Sequence, residues 1–203
     1  MPSNRLQEKR RDFFYRLAKR KGYRSRASFK LLQANRDYHF IKKGDVVVDL
    51  GAAPGGWMQV SQEIVGEEGL VIGVDLNPIR KFDSENVKFL IGDIKNPETL
   101  STLQSKLKGK ADVVLSDVSP NVSGIWEVDH ARQIDLAKTS IDIAKKILKK
   151  DGAFFGKVFQ GDLLEDFMKE LRSSFQTVKI VKPKASRSQS SEIYVLGLRL
   201  KFS

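Results

Sequence analysis

Short apolar segments alternate with helical patterns along most of the chain. Seven segments rich in valine, isoleucine, leucine and phenylalanine have the length and bounding residues typical of strands. They lie at 45–50, 70–76, 87–92, 111–117, 153–159, 177–182 and 191–201. The clearest helical pattern covers 131–150, where apolar residues recur at spacings of three and four. Strands that alternate with helices predict a mostly parallel sheet covered on both faces.

Both ends of the chain add to this alternation. We expect one helix to end near Gly22 and another to cover about 25–37. Asn96 and Pro97 predict the start of a shorter helix, because asparagine caps helices and proline suits their first turn. Only the polar loop 183–190 separates the last two strands, so we expect an antiparallel pair at the sheet edge.

These elements predict an α/β fold of the Rossmann-like class I methyltransferase type. Its sheet would have seven strands, mostly parallel, with one antiparallel edge strand and helices on both faces. At 203 residues the chain suits one well-covered core, and we expect a single domain, 1–203. Apolar runs such as 46–48 are far shorter than the ~20 residues that span a bilayer. We therefore expect a cytoplasmic protein without a membrane partner.

Cysteine and histidine usage limits the possible metal chemistry. The chain has no cysteine, which excludes disulfides and thiolate metal sites. His39 and His130 stand alone in the sequence, without the spacing of metal ligands. We expect no structural metal.

The positive charge is concentrated at the N-terminus. The net charge is +11, and residues 1–30 hold eleven lysines and arginines against two acids, which gives +9 in that segment alone. Phe13, Phe14, Tyr15 and Tyr23 lie among these charges. Basic residues mixed with aromatic ones predict a helical RNA-binding extension, residues 1–40. A solvated basic helix whose aromatic rings pack on the core is the alternative.

A glycine-rich turn follows the first strand, in the sequence D-V-V-V-D-L-G-A-A-P-G-G-W at 45–57. A P-loop would need lysine and serine or threonine where Trp57 and Met58 stand, so that phosphate site is excluded. Ala53 replaces the second glycine of the dinucleotide fingerprint, where the backbone approaches a pyrophosphate. A nucleotide without pyrophosphate fits better, and a tight turn without a ligand is the alternative.

Acidic residues close the strands that follow this turn. Asp75 lies 24 residues after Gly51, near the spacing of an acid that bonds ribose hydroxyls. Asp93 closes the next strand and could accept a hydrogen bond from an adenine amino group. Asp117 closes the one after. Three successive acids at strand ends strengthen the prediction of an adenosine-containing cofactor.

Five motifs carry a resemblance to a known family. They are Y-R-S-R-A-S-F-K-L at 23–31, D-L-G-A-A-P-G-G-W at 49–57, S-D-V-S-P-N at 116–121, G-K-V-F-Q-G at 156–161 and S-S-E-I-Y at 190–194. In these motifs and in their order the chain resembles the FtsJ/RrmJ family of S-adenosylmethionine-dependent ribose 2'-O-methyltransferases over nearly its whole length.

The resemblance implies site residues. It implies a catalytic Lys-Asp-Lys-Glu set, whose members here are Lys30, Asp117, Lys157 and Glu192. It implies cofactor contacts from five residues, Gly55, Trp57, Asp75, Asp93 and Asp117, to which the glycine-rich turn adds Gly51, Ala53 and Gly56.

The chemistry of the residues agrees with these roles. A ribose hydroxyl is a poor nucleophile at neutral pH, so the protein must position and deprotonate it. Lys157 lies within the apolar strand A-F-F-G-K-V-F, and burial beside Lys30 favours the neutral amine that acts as a base. Asp117 could orient that lysine or the methyl group, and Glu192 could hold one of the lysines. A solvent-facing lysine on an edge strand is the alternative for Lys157.

Other assignments fit less well. Enzymes that methylate base amino groups favour an Asn/Asp-Pro-Pro-aromatic motif, which 117–121 lacks. Trp126, in a stretch at 120–129 that we expect to be free of helix, could stack on RNA, cap the cofactor pocket or anchor the loop. Asn121 and Gln160 lie beside motif residues and could touch the substrate.

By family likeness we expect a monomer that methylates a ribose, of a uridine, in structured large-subunit ribosomal RNA. Transfer RNA is the alternative substrate, and a non-catalytic RNA-binding ribosome assembly factor is the alternative from another class.

Overall fold

A computed structural model describes residues 4–107, 109–186 and 190–201, with side chains from residue 13 onward. The helices are α1 (Asn4–Lys21), α2 (Ser28–Tyr38), α3 (Gly56–Val65), α4 (Pro97–Leu107), α5 (Trp126–Ile147) and α6 (Leu164–Ser174). The strands are β1 (Val46–Leu50), β2 (Leu70–Asp75), β3 (Val87–Ile91), β4 (Ala111–Ser116), β5 (Leu148–Phe159), β6 (Phe175–Val181) and β7 (Glu192–Leu200).

The seven strands form one sheet in the order β3-β2-β1-β4-β5-β7-β6. Strands β1 to β5 are parallel to one another, and β7 is antiparallel to both β5 and β6. The α/β class and the antiparallel pair at the sheet edge are confirmed. Within that pair the outermost strand is β6, and β7 lies second from the edge, because α6 carries the chain past the position that β7 later fills.

Two predicted boundaries around α5 were wrong. The helix begins at Trp126 rather than at 131, so the stretch 120–129 is helical from Trp126 on. The carboxylate of Asp129 accepts hydrogen bonds from Ser123 N (2.7 Å) and Gly124 N (3.1 Å), which fixes the turn where the helix starts. At the other end β5 begins at Leu148, directly after the helix, instead of at 153.

Asn96 caps α4 as predicted. Its side-chain oxygen accepts from Glu98 N at 2.9 Å, which satisfies one of the free N–H groups of the first turn. The first helix ends at Lys21, followed by Gly22 with a φ of +74°, again as predicted.

The helices cover both faces of the sheet and enclose two apolar cores. One core lies under α4, α5 and α6, with Phe154 and Ile141 at its centre. The other lies under α2 and α3, with Phe155 and Trp57. None of the helices in the described ranges is both long enough and apolar enough to cross a bilayer.

A third, small cluster joins α1 to the body of the protein. Ala18 and Phe29 are buried in it, and the Phe14 ring lies 5.5 Å from the Phe29 ring. Phe13 and Tyr15 are 54% and 50% exposed, so the aromatic residues of this segment divide between anchoring and solvent-facing positions. The side chains of 4–12, which include several of the basic residues, lie outside the described part.

Candidate active site

The carboxyl ends of β1, β4 and β5 meet at the middle of the sheet, where strand order reverses about β1. In open α/β sheets ligands bind at such a point. The structure brings the four predicted catalytic residues together there, from four different elements. Lys30 comes from α2, Asp117 from the residue after β4, Lys157 from β5 and Glu192 from the start of β7.

Lys157 and Asp117 form one half of the cluster. The Lys157 side chain is 6% exposed, and its Nζ lies 3.2 Å from Asp117 Oδ1. Nζ also donates to the Asp117 carbonyl oxygen at 2.8 Å and to Ser119 Oγ. Lys157 is therefore buried against acceptors, and the alternative of a solvent-facing lysine is excluded.

Lys30 and Glu192 form the other half. Lys30 Nζ donates to Glu192 Oε1 at 2.6 Å, and Ser186 Oγ donates to the same oxygen at 3.1 Å. Burial by itself would raise the pKa of Glu192, but the nearby charges of Lys30 and Lys157 and the hydrogen bonds outweigh it, so the pKa is lowered. Glu192 is therefore a carboxylate at neutral pH.

Tyr194 links the two halves, and sequence reasoning missed it. Its hydroxyl accepts from Lys30 Nζ at 2.9 Å and donates to Asp117 Oδ1 at 3.1 Å. The ring is fully buried and stacks on Phe155 with centroids 5.0 Å apart. Burial, then the charges of Asp117 and Glu192, raises the pKa of Tyr194 well above its usual 10, so the hydroxyl keeps its proton. The available signal was strand alternation, which puts residues 192 and 194 on one face.

A cavity of about 270 Å³ lies beside this cluster. Five of the predicted cofactor residues line it: Gly51, Ala53, Asp75, Asp93 and Asp117. Asn121 also lines it, whereas Gln160 is exposed on the loop after β5. Gly51 has a φ of +74°, and a Cβ there would meet the Val118 backbone at 2.9 Å, so only glycine allows the turn to pass this close.

Asp75 fixes the shape of the turn. Its Oδ2 accepts from Ala53 N at 2.9 Å and its Oδ1 accepts from Asn77 N at 2.8 Å. Asp75 Oδ1 also accepts from Asn77 Nδ2 at 3.2 Å, so Oδ2 is the oxygen with a lone pair left for a ligand. Asp93 lies just after the end of β3, and its Oδ1 accepts from Lys95 N at 2.9 Å.

Gly55, Gly56 and Trp57 are predicted cofactor residues that are not among those lining this cavity. The indole is buried between α2 and the sheet, and its Nε1 donates to Ala27 O at 2.9 Å. Core packing therefore determines its orientation. A Cβ on Gly55 would lie 2.8 Å from Arg24 Nη1, and one on Gly56 would overlap Ser25 Oγ. The lack of a side chain at both positions therefore lets the segment with Arg24 and Ser25 pack against this turn.

Asp49 is a second residue that the motif contained but that was not assigned a role. It is fully buried on β1, and neither carboxylate oxygen has a hydrogen-bond partner in the described part of the chain. Burial, then the charges of Asp117 and Asp75, raises its pKa well above the usual 3.8. Asp75 and Asp117 line the cavity and Asp49 is buried close to both, so a ligand rich in hydroxyl and amino donors would suit this end of it. S-adenosylmethionine, with ribose hydroxyls and two amino groups, fits that requirement.

Comparison with known proteins gives the same picture. A family model described as FtsJ-like methyltransferase matches residues 23–200. Ribosomal RNA large subunit methyltransferase E of Methanocaldococcus jannaschii is 49% identical over 95% of this chain and 80% of its own length. The protein of the same name from Methanothermobacter thermautotrophicus is 50% identical over 94% of this chain and 90% of its own.

A solved structure is similar as well. The crystal structure of a ribosomal RNA methyltransferase from Plasmodium falciparum has a TM-score of 0.77 and 28% identity, covering 88% of this chain and 98% of that one. The family match covers most of the chain, and the five sequence motifs, the strand order and the converging lysines and acids all lie within it. The chain belongs to the FtsJ-like methyltransferase family.

Proposed function

We propose that the protein transfers a methyl group from S-adenosylmethionine to the 2'-oxygen of a ribose, in a uridine of large-subunit ribosomal RNA. The convergence of Lys30, Asp117, Lys157 and Glu192 beside a cavity lined by acids carries the proposal. The names of the relatives that are about half identical favour the large ribosomal subunit over transfer RNA as the source of substrate.

Different residues of the cavity suit different parts of the cofactor. Asp75 would accept from the ribose hydroxyls, Asp93 from the adenine amino group, and Gly51 and Ala53 would let the backbone approach the nucleoside. The helix α3 begins at Gly56, and the positive end of its dipole suits a carboxylate. When bound, the cofactor supplies a methyl group already activated by its sulfonium.

The chain's own residues then have to prepare the hydroxyl. In its amine form Lys157 takes the proton of the 2'-hydroxyl as the oxygen forms its bond to the methyl carbon. The bound cofactor would supply the methyl group and take up the electron pair of the broken C–S bond as a neutral thioether. Asp117, 3.2 Å from Nζ, holds the ammonium that results. General base catalysis of this kind contributes about 10²–10⁴-fold to a rate.

Lys30 and Glu192 act by position and charge. Glu192 holds Lys30 by a bond of 2.6 Å, and Tyr194 connects that pair to Asp117. A fixed set of this kind places the cations near the ribose without reorganisation at the moment of reaction. Lys30 is thus suited to bind the oxygens of the target nucleotide.

The basic extension, residues 1–40, is the proposed RNA-binding surface of this single domain. Exposed Phe13 and Tyr15 stand among its positive charges, and rings in that setting stack on bases. A monomer in the cytoplasm is part of the same proposal.

Methyl transfer from labelled cofactor to ribosomal RNA of cells lacking the protein tests the proposal directly. A 2'-O-methyl group makes the adjoining linkage resistant to alkali, so one new resistant linkage should appear in large-subunit RNA. Label in transfer RNA alone would redirect the proposal to that substrate. Label on a base would contradict it.

The non-catalytic alternative predicts a different result. An assembly factor on the same fold would bind RNA and leave all linkages labile to alkali. Calorimetric titration with S-adenosylmethionine separates the two, because an assembly factor has no need to bind the cofactor.

A further inference from the structure

An exposed apolar surface lies next to the active site. It consists of Val122, Ile125, Trp126 and Leu163, which we call the apolar patch, and their side chains are 79%, 58%, 44% and 43% exposed. None of the four carries charge. Grouped apolar side chains on a protein surface mark binding sites more often than single ones do.

The loop that carries three of these residues is held in place. The buried carboxylate of Asp129 accepts from Ser123 N at 2.7 Å, Ser123 Oγ at 2.8 Å and Gly124 N at 3.1 Å. The loop therefore presents Val122 and Ile125 to solvent in a fixed conformation. A preformed surface binds a ligand at a smaller entropic cost.

Trp126 connects the patch to the active site. Its ring stacks on His130 (centroids 5.4 Å apart) and on Phe159 (6.0 Å), each at 18°. Phe159 lies two residues after Lys157, at the same carboxyl end of β5. His130 Nε2 also accepts from Leu163 N at 3.2 Å, which places Leu163 beside the same stack.

The helix that begins at Trp126 is hydrogen-bonded to the strand that carries Lys157, the proposed general base. Gln133 Nε2, two turns along α5, donates to Lys157 O at 3.2 Å and to Val118 O at 3.3 Å. The positions of Trp126 and Lys157 are thus set relative to each other by one helix and one strand.

We propose that the apolar patch holds the base of the nucleotide whose ribose is methylated, with Trp126 as the main contact. The inference rests on the proposed function. Sequence-specific recognition of RNA acts mainly on unstacked nucleotides, whose bases then stack on aromatic side chains. The patch adjoins Phe159 at the end of the strand that carries Lys157, and it lacks charge, so it suits a base rather than a phosphate.

The experiment compares two RNAs with three proteins. The RNAs are a synthetic large-subunit fragment centred on the mapped 2'-O-methylated nucleotide and the same fragment with that nucleotide abasic. The proteins are wild type, Trp126→Ala and Trp126→Phe. On the intact RNA, Trp126→Ala should lower kcat/KM by about 5- to 150-fold, the usual cost of losing one stacked base, while Trp126→Phe retains most of the rate.

The abasic RNA distinguishes a base contact from any other role. Wild type should lose a similar factor on it, and Trp126→Ala should lose little more. Ile180→Ala, which removes a side chain 53% exposed on β6, is the matched control and should leave both rates unchanged. Equal loss by Trp126→Ala on both RNAs would assign the patch to another contact, such as a neighbouring nucleotide, and would overturn the inference.

The wild-type comparison needs no substitution and so does not depend on how the variants fold. Wild type that methylates intact and abasic RNA equally would overturn this inference alone. Wild type that methylates neither would overturn the proposed function and this inference with it.

Discussion

The guanidinium of Arg24 lies over the ring of Phe82, with its carbon 3.7 Å from the ring centroid. The same group donates to the carbonyl oxygens of Arg80 (2.6 Å) and Lys81 (3.0 Å). Arg24 comes just after the basic helix α1, and the loop around Phe82 follows the strand that ends in Asp75. This one side chain therefore fastens the basic extension to the cofactor side of the protein.

Replacing Arg24 should loosen that connection. Arg24→Ala removes two hydrogen bonds and a cation–π interaction and should lower the free energy of unfolding by about 1–2 kcal/mol, measured in urea. Arg24→Lys should recover little, because an ammonium lacks the planar fork that reaches two carbonyls. The control is Arg36→Ala, which breaks only an exposed pair with Asp37. Equal stability of Arg24→Ala and Arg36→Ala would contradict the role.

Lys157→Ala should abolish methyl transfer and leave the affinity for the cofactor nearly unchanged, because the lysine acts on the hydroxyl of the RNA. Single-turnover assays give the rate, and calorimetry gives the dissociation constant. Lys149→Ala, on the same strand but at its other end, is the matched control and should retain activity. Activity of Lys157→Ala within threefold of wild type would remove Lys157 from the mechanism.

Asp75→Ala should affect the binding of the cofactor more than the methyl transfer itself. It should weaken cofactor binding by about 1.5–3 kcal/mol, since it removes charge-assisted bonds to the ribose hydroxyls. The bond to Ala53 N disappears as well, so the glycine-rich turn has one support fewer. An unchanged dissociation constant, by calorimetry, would place Asp75 outside the cofactor site.

Asp49 predicts a pH dependence of stability. Its raised pKa means that the folded state keeps a proton which the unfolded chain loses near pH 4. This contribution to stability is full below that pH and is lost as the pH rises toward the folded-state pKa. Asp49→Asn has no proton to lose, so its free energy of unfolding relative to wild type should increase from pH 4 to pH 7.

Urea denaturation without cofactor at pH 4, 5, 6 and 7 measures that trend. Asp166→Asn is the control, because the hydrogen bond from Lys169 lowers the pKa of Asp166, so its difference from wild type should not rise over this range. A constant difference between Asp49→Asn and wild type across these pH values would mean that Asp49 is ionised in the folded protein.

The basic extension should dominate the salt dependence of RNA binding. Reversing Arg10, Arg11, Lys19 and Arg20 to glutamate should weaken binding, while cofactor affinity stays the same. The log-log slope should flatten by about 0.7–0.9 for each phosphate that the protein no longer neutralises.

A second variant controls for the change in net charge. It carries the same reversal at four exposed lysines elsewhere, Lys43, Lys106, Lys110 and Lys169. If the variant of the basic extension keeps an unaltered slope, the RNA-binding surface lies elsewhere on the protein. Lys179 and Lys184, near β6, are then the next candidates.

The sequence predicted the strands to within a few residues because period and turn residues are local signals. It did not predict the role of Tyr194, since a tyrosine in an apolar strand has the pattern of a core residue. Its two hydrogen-bond partners lie 77 and 164 positions away along the chain. The start of α5 was missed for a similar reason: a side chain inside the helix, Asp129, fixes the turn before it.

The same limit applies to the site residues, because sequence identifies residue types more readily than side-chain directions. The resemblance implied Lys30, Asp117, Lys157 and Glu192, which the fold brings together. It also implied a cofactor contact from Trp57, whose indole packs in the core under α2. Motifs identify residue types that chemistry needs, whereas the direction of a side chain depends on neighbours that the motif does not contain.

The position of β7 between β5 and β6 has a consequence for biosynthesis. Glu192 and Tyr194 belong to the strand that is synthesised after the other six, and domains fold with their N-terminal parts emerging first. Until that strand pairs, two neighbouring strands have open edges and Lys30 lacks its carboxylate. A nascent or shortened chain therefore holds the cofactor turn without a complete set of catalytic groups, and methylation must wait for the final strand.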